Sequence, residues 1–131
     1  MLHHLSFGVA DIRRSARFYD AVLGAFGFER VFEDFEGEHA AVGYGLVAGE
    51  DRFCIKQRPG ATIAPPAGFH LAFEAPDRDA VDRFHAAALA HGGADNGAPG
   101  LRADYGPHYY AAFVVDPDGY RVEAVIDRPA A

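Results

Sequence analysis

The chain has 131 residues, 50% hydrophobic and 24% charged, with a net charge of -7, the make-up of one globular domain able to bury a real core. With 12 Lys and Arg against 19 Asp and Glu it has no basic footprint for nucleic acid, and no stretch approaches the ~18 apolar residues of a membrane span. The single cysteine, Cys54, excludes an internal disulfide, and the first residues lack the apolar core of a secretory leader, so the expected compartment is the cytoplasm.

Residues 2–9 alternate, with the bulky Leu5, Phe7 and Val9 on the face of His3 and with His4, Ser6 and Gly8 on the other. Asp11 reads as the N-cap of a helix whose apolar stripe is Ile12, Ala16, Tyr19, Leu23 and Phe26; Gly24 and Gly27 mark its end. Strand-like stretches follow at 28–32, 39–47 and 52–57. Residues 58–68 are a Pro- and Gly-containing linker.

The pattern then restarts. Residues 69–75 read as a strand, and Asp77 caps a helix with the stripe Val81, Phe84, Ala88 and Leu89, stopped by Gly92-Gly93. Residues 94–107 are weakly patterned and are expected to form a functional loop or lid. Strands at 109–115 and 120–126 close the unit, joined by the turn Asp116-Pro117-Asp118-Gly119. The expectation is an α+β domain spanning 1–131, with a βαβββ module at 1–57, the linker at 58–68 and a second module at 69–127.

A gapless repeat ties the two units together. His4-Leu5-x-Phe7 is answered 66 residues on by His70-Leu71-x-Phe73, Asp11 by Asp77, Arg17-Phe18 by Arg83-Phe84, Leu23 by Leu89 and Gly27 by Gly93. A unit used twice places equivalent residues about a pseudo-twofold axis, which brings His4 and His70 toward a common centre. On the last strand Tyr120, Val122, Ala124 and Ile126 form the apolar face, and Glu123 projects opposite. All three candidates thus share the side away from the helices, among small neighbours. Two imidazoles and a carboxylate with open positions suit a divalent first-row metal such as Fe, Mn, Ni or Zn. The plainer reading of each residue is a hydrogen-bonded polar group, with Lys56 pairing Glu123 in the absence of metal.

These motifs resemble the vicinal oxygen chelate superfamily, which includes glyoxalase I, extradiol dioxygenases, fosfomycin-resistance thiol transferases and bleomycin-resistance proteins. The resemblance rests on His3-His4-Leu5-Ser6-Phe7-Gly8-Val9-Ala10-Asp11 with Phe18-Tyr19 and Leu23-Gly24, on His70-Leu71-Ala72-Phe73, and on Asp116-Pro117-Asp118-Gly119-Tyr120-Arg121-Val122-Glu123. It implies a cupped mixed sheet around a central cleft with helices outside, and a divalent metal on His4, His70 and Glu123. It further implies a small-molecule substrate, a homodimer, and a metal-dependent lyase, isomerase, dioxygenase or thiol-transfer activity. A non-catalytic, bleomycin-resistance-like binding protein is the alternative.

One departure stands out. Glyoxalase I adds a Glu ligand on the last strand of the first module, where this chain reads Arg52-Phe53-Cys54-Ile55-Lys56-Gln57. Cys54 and Lys56 are expected in the cleft, with Lys56 as the pseudo-symmetry mate of Glu123. An ammonium beside a dication is repulsive, which argues against a four-ligand site and suggests that Lys56 holds an anionic part of the substrate. Glu123, Lys56 and His108 are the catalytic candidates, His108 as acid/base. Lys56, Arg102, Tyr105 and Tyr109 are the substrate-binding candidates, although strand parity does not decide whether Tyr109 or Tyr110 faces the cleft. Cys54 reads as a small buried hydrophobe, His85 as a packing residue and His91 as a helix cap.

Overall fold

Alternation and capping residues set the elements of the computed structural model, which describes residues 1–130. Module one runs β1 (Leu5–Val9), α1 (Ile12–Gly24), β2 (Glu29–Asp34), β3 (Ala41–Gly45) and β4 (Phe53–Gln57). Module two repeats that order as β5 (Leu71–Glu74), α2 (Arg78–Ala90), β6 (Ala94–Leu101), β7 (Tyr109–Val115) and β8 (Arg121–Asp127). The architecture is α+β with two βαβββ modules, as expected. Its strands divide into two four-stranded mixed sheets, ordered β1-β4-β3-β2 and β5-β8-β7-β6. In each sheet the first strand lies parallel to the last, and the remaining pairs are antiparallel.

Both helices begin and end by the same chemistry. Asp11 accepts from the backbone N–H groups of Arg13 and Arg14, and Asp77 from that of Ala80. At the far ends Gly27 and Gly92 sit at φ 83° and 93°, a left-handed conformation that only glycine adopts without strain. The chain then turns back, so that Phe28 N–H reaches Leu23 O and Gly93 N–H reaches Ala88 O. Neither helix is long and apolar enough to cross a membrane.

The core lies on the helix side of both sheets and is shared between modules. Phe7 of β1 stacks on Tyr120 at 3.8 Å, Phe53 meets Phe73 edge-on at 5.4 Å, and Phe26 stacks on Phe84 at 5.6 Å. Aromatic pairs of this kind add to the burial of their area, so these three contacts help to hold the two halves together. The turn before β8 completes the junction. Asp118 accepts from Ala10 N–H, Arg14 Nη2 and Ser15 Oγ, while the buried Asp116 accepts from the Tyr19 hydroxyl at 2.5 Å.

Several expectations are corrected. Residues 94–101 are a strand, not a loop; its pairing with β7 shifts register twice around Gly97 and Gly100, which hides its period. The loop proper is 102–108. β1 starts at Leu5, after a bend at His3, so alternation does not extend back through His3 and His4. Leu89 is 46% exposed, because the buried face of α2 is Ala80, Val81, Phe84 and Ala88.

Candidate functional site

The face of the module-two sheet turned away from the helices gathers most of the expected chemistry. Ala72, Glu123 and Phe113 are cross-strand neighbours on β5, β8 and β7, and share that face while Val122, Ala124 and Ile126 enter the core. The Glu123 side chain is only 4% exposed. Burial of a carboxylate is costly without partners, and it has two. His70 Nε2 lies 2.6 Å from Oε1, and the Tyr109 hydroxyl donates to Oε2 at 2.5 Å. Burial first, and then the Glu123 carboxylate, raise the pKa of Tyr109, so this phenol keeps its proton.

Aromatic groups surround this pair. The Phe113 ring lies 5.9 Å from that of His70, the Arg102 guanidinium carbon lies 5.2 Å from the Phe113 centroid, and Tyr105 lies 5.2 Å from Tyr109. Tyr110 points the other way, donating to Asp82 on α2 at 2.6 Å beneath the Arg78 guanidinium. The choice between the two tyrosines, open to strand parity, thus falls to Tyr109. Sequence reasoning missed Phe113. Its membership of the Glu123 face depends on the register of β7 against β8, and alternation alone does not supply register.

The module-one sheet presents a different face. Ser6 pairs with Cys54 and Gly8 with Lys56, whereas Ala72 pairs with Glu123 and Glu74 with Val125. Since Ser6 is the repeat mate of Ala72, the counterpart of Glu123 is Cys54, and Lys56 corresponds to Val125. The expected equivalence of Lys56 and Glu123 is therefore wrong by two residues. Cys54 is 7% exposed, and burial raises its thiol pKa against the opposing effect of Lys56. Asp51 folds back over this face: a Cβ at Gly43 would stand 2.9 Å from that of Asp51, so glycine makes the room. Lys56 is half-buried and forms no ion pair among the described residues.

His4 is exposed ahead of β1, its Nδ1 2.9 Å from that of His3, in a pocket with Arg52, Leu71 and Glu74. The expectation that His3 and His4 face opposite ways fails at the bend. His108 is exposed in the turn leading into β7. The structure therefore brings together His70, Glu123, Tyr109, Tyr105 and Arg102, and leaves Lys56 on the other sheet. Among the described residues, no three His, Cys, Asp or Glu side chains converge within one chain to hold a metal. What does converge is an imidazole nitrogen and a carboxylate oxygen, two donors of the type that divalent first-row metals take.

His85 and His91 play the structural parts expected of them. The former packs at Asp95, 2.9 Å away, and the latter has Nδ1 2.8 Å from Ala87 O at the end of α2.

Comparison with known proteins agrees with this geometry. The model of the Glyoxalase/Bleomycin resistance protein/Dioxygenase superfamily matches residues 1–124, and the chain belongs to that superfamily. It is similar to a glyoxalase/bleomycin resistance protein from Albidiferax ferrireducens, with 30% identity and a TM-score of 0.76 over 98% of this chain and 99% of that one. A glyoxalase/bleomycin resistance protein/dioxygenase family enzyme from Burkholderia phytofirmans matches at 22% identity and a TM-score of 0.67, over 96% and 98% of the two chains. A glyoxalase I mutant from Zea mays matches at 21% identity and a TM-score of 0.73, over 93% of this chain but 45% of the maize one. These last two likenesses are of fold. A comparison with curated proteins returned no match.

Proposed function

We propose that this protein is a metal-dependent enzyme of the glyoxalase/dioxygenase type, acting on a small oxygenated molecule at a divalent Fe, Mn, Ni or Zn ion. The observation that carries the reading is the buried Glu123 carboxylate, fixed between His70 and Tyr109 on the open face of module two. His70 and Glu123 supply two ligands. His4 is the third, contributed from a second copy in a homodimer, because His4 stands apart from the other two within one chain. The shared core on the helix side leaves both sheet faces open for such a pairing. When bound, the metal supplies Lewis acidity to an oxygen of the substrate.

The remaining roles belong to the chain itself. Tyr109 keeps its proton and pins Oε2, which leaves Oε1 on the His70 side. Lys56 and Arg102 attract anionic groups of the substrate, Tyr105 and Tyr109 wall it, and His108 is the acid/base group at the rim. The position of the fourth glyoxalase I ligand falls on Cys54 by register. We count three ligands and leave Cys54 out of the set. The cytoplasm suits a chain with one free thiol.

Elemental analysis tests this, on protein as isolated and after anaerobic reconstitution with Fe, Mn, Ni and Zn. Near one equivalent of metal per protomer in wild type, lost in His70→Ala, is the expected result. No metal in either protein sinks the triad. A second reading, a non-catalytic bleomycin-resistance-like binding protein, is favoured by Glu123 having both oxygens satisfied inside the chain. Stoichiometric protection against a bound drug, without product, would establish it.

A further inference from the structure

The loop after β6 builds a second feature beside the His70–Glu123 pair. Arg102 lies across the Phe113 ring, and its Nη2 donates to the carbonyls of Ala98 and Ala111, so the side chain is held in place by backbone. Gly97, at φ 147°, permits this packing: a Cβ there would stand 2.9 Å from Phe113 Cδ2 and 3.4 Å from Arg102 Nη2. The guanidinium pairs with no carboxylate among the described residues, Asp104 of the same loop included. Its Nε is buried without an acceptor. That nitrogen is out of a ligand's reach, but Nη1 makes no hydrogen bond among the described residues, so a positioned cation without a carboxylate partner lines the cleft of a chain of net charge -7.

The space beside it is an open cleft of ≈ 470 Å³, lined by Asn96, Leu101, Tyr105 and Phe113 among others. Phe113 also lies beside the His70 ring, so the cleft at Arg102 adjoins the His70–Glu123 pair. Guanidinium groups match carboxylates through two parallel hydrogen bonds, and planar aromatic walls favour planar ligands.

We propose that this cleft selects a monocyclic aromatic carboxylate, with Arg102 binding the carboxylate and Phe113 the ring. The inference rests on the reading of the module-two face as the substrate site, and it narrows that site to anionic aromatic substrates. Arg102 acts here as a specificity residue, while the oxygen that reacts lies at the His70 end.

The test uses benzoate and benzamide, which share a ring and differ in charge, titrated into the full-length protein by two-dimensional ¹⁵N NMR. Benzoate is expected to shift the Gly97 and Phe113 amides and the Arg102 Nε–H, and to bind at least ~10-fold more tightly than benzamide. Arg102→Met should abolish that preference and Arg102→Lys should keep part of it. Equal binding of the two probes to wild type overturns the inference while leaving the face as a ligand site. If neither probe perturbs these residues, the inference falls, while the His70–Glu123 site stands or falls by its metal content. The wild-type comparison decides even if a variant fails to fold, and metal content, measured separately, reports on the metal site alone.

Discussion

The two sheets descend from one repeat and keep the same strand order, yet their open faces have diverged. At equivalent register the second module carries Glu123 and the first carries Cys54. Around Glu123 stand His70, Tyr109 and Phe113; around Cys54 stand Lys56 and, over Gly43, Asp51. The helix sides have not diverged in this way. There both modules use aromatic residues to build one core, and both helices use the same Asp cap and the same glycine stop. Packing constrains the inner faces because every methylene counts there, whereas the open faces are free to acquire charge. The buried, doubly hydrogen-bonded carboxylate stands on one of them.

The sharpest way to break this comparison is to exchange weight between the two register mates. Glu123→Gln should lower metal affinity by ~100-fold or more, and Cys54→Ser should leave it within a few-fold, both read by competition with a chelator. An equal loss in both would make Cys54 a ligand and return the site to four donors.

Next in size is the junction. Burial raises the pKa of Asp116 from 3.8 to about 6, so the folded chain keeps a proton that the unfolded chain has already released. This contribution is present in full below pH 3.8 and is lost as pH rises through about 6, a decline of ~3 kcal/mol at most. Denaturant melts of wild type relative to Asp116→Asn should show it, with wild type falling against the variant between pH 4 and 6.5. A constant difference across that range would mean that Asp116 is ionised throughout.

Smaller effects separate support from ligation. Tyr109→Phe removes one hydrogen bond from Glu123 and should weaken metal by ~10-fold, while Tyr110→Phe, which loses only its contact with Asp82, should not. Comparable losses would mean that the two faces of β7 are not distinguished. Lys56→Met should reduce the affinity of an anionic substrate by a few-fold at most, since the charge is half-buried on the opposite sheet. Unchanged affinity would remove Lys56 from the site.

Local chemistry made much of this legible in the sequence. Asp11, Asp77 and the glycines ending each helix announced the helices, and the run at 109–115 announced β7. The family followed from the motifs at 3–11, 70–73 and 116–123, and the two modules from the repeat of residues 4–27. What failed depended on register or on irregular backbone. The offset of 66 holds between β1 and β5 but not between β4 and β8, where it is 69, so Lys56 was matched to the wrong residue. The strand β6 was hidden by glycine and proline, and the bend at His3 moved His4 off the expected face. The His70–Glu123 pairing was within reach of parity; its Tyr109 support needed the third dimension.

The carboxylates of residues 116 and 118 have a consequence for how this chain comes into being. They serve α1, roughly a hundred residues earlier, so a ribosome releases the first helix long before the carboxylates that accept from its hydroxyls and guanidinium exist. A fragment ending at the linker would expose half of a shared aromatic core and leave Tyr19 and Ser15 without acceptors. The sequence repeats a module, yet the two copies share one core across the linker that joins them.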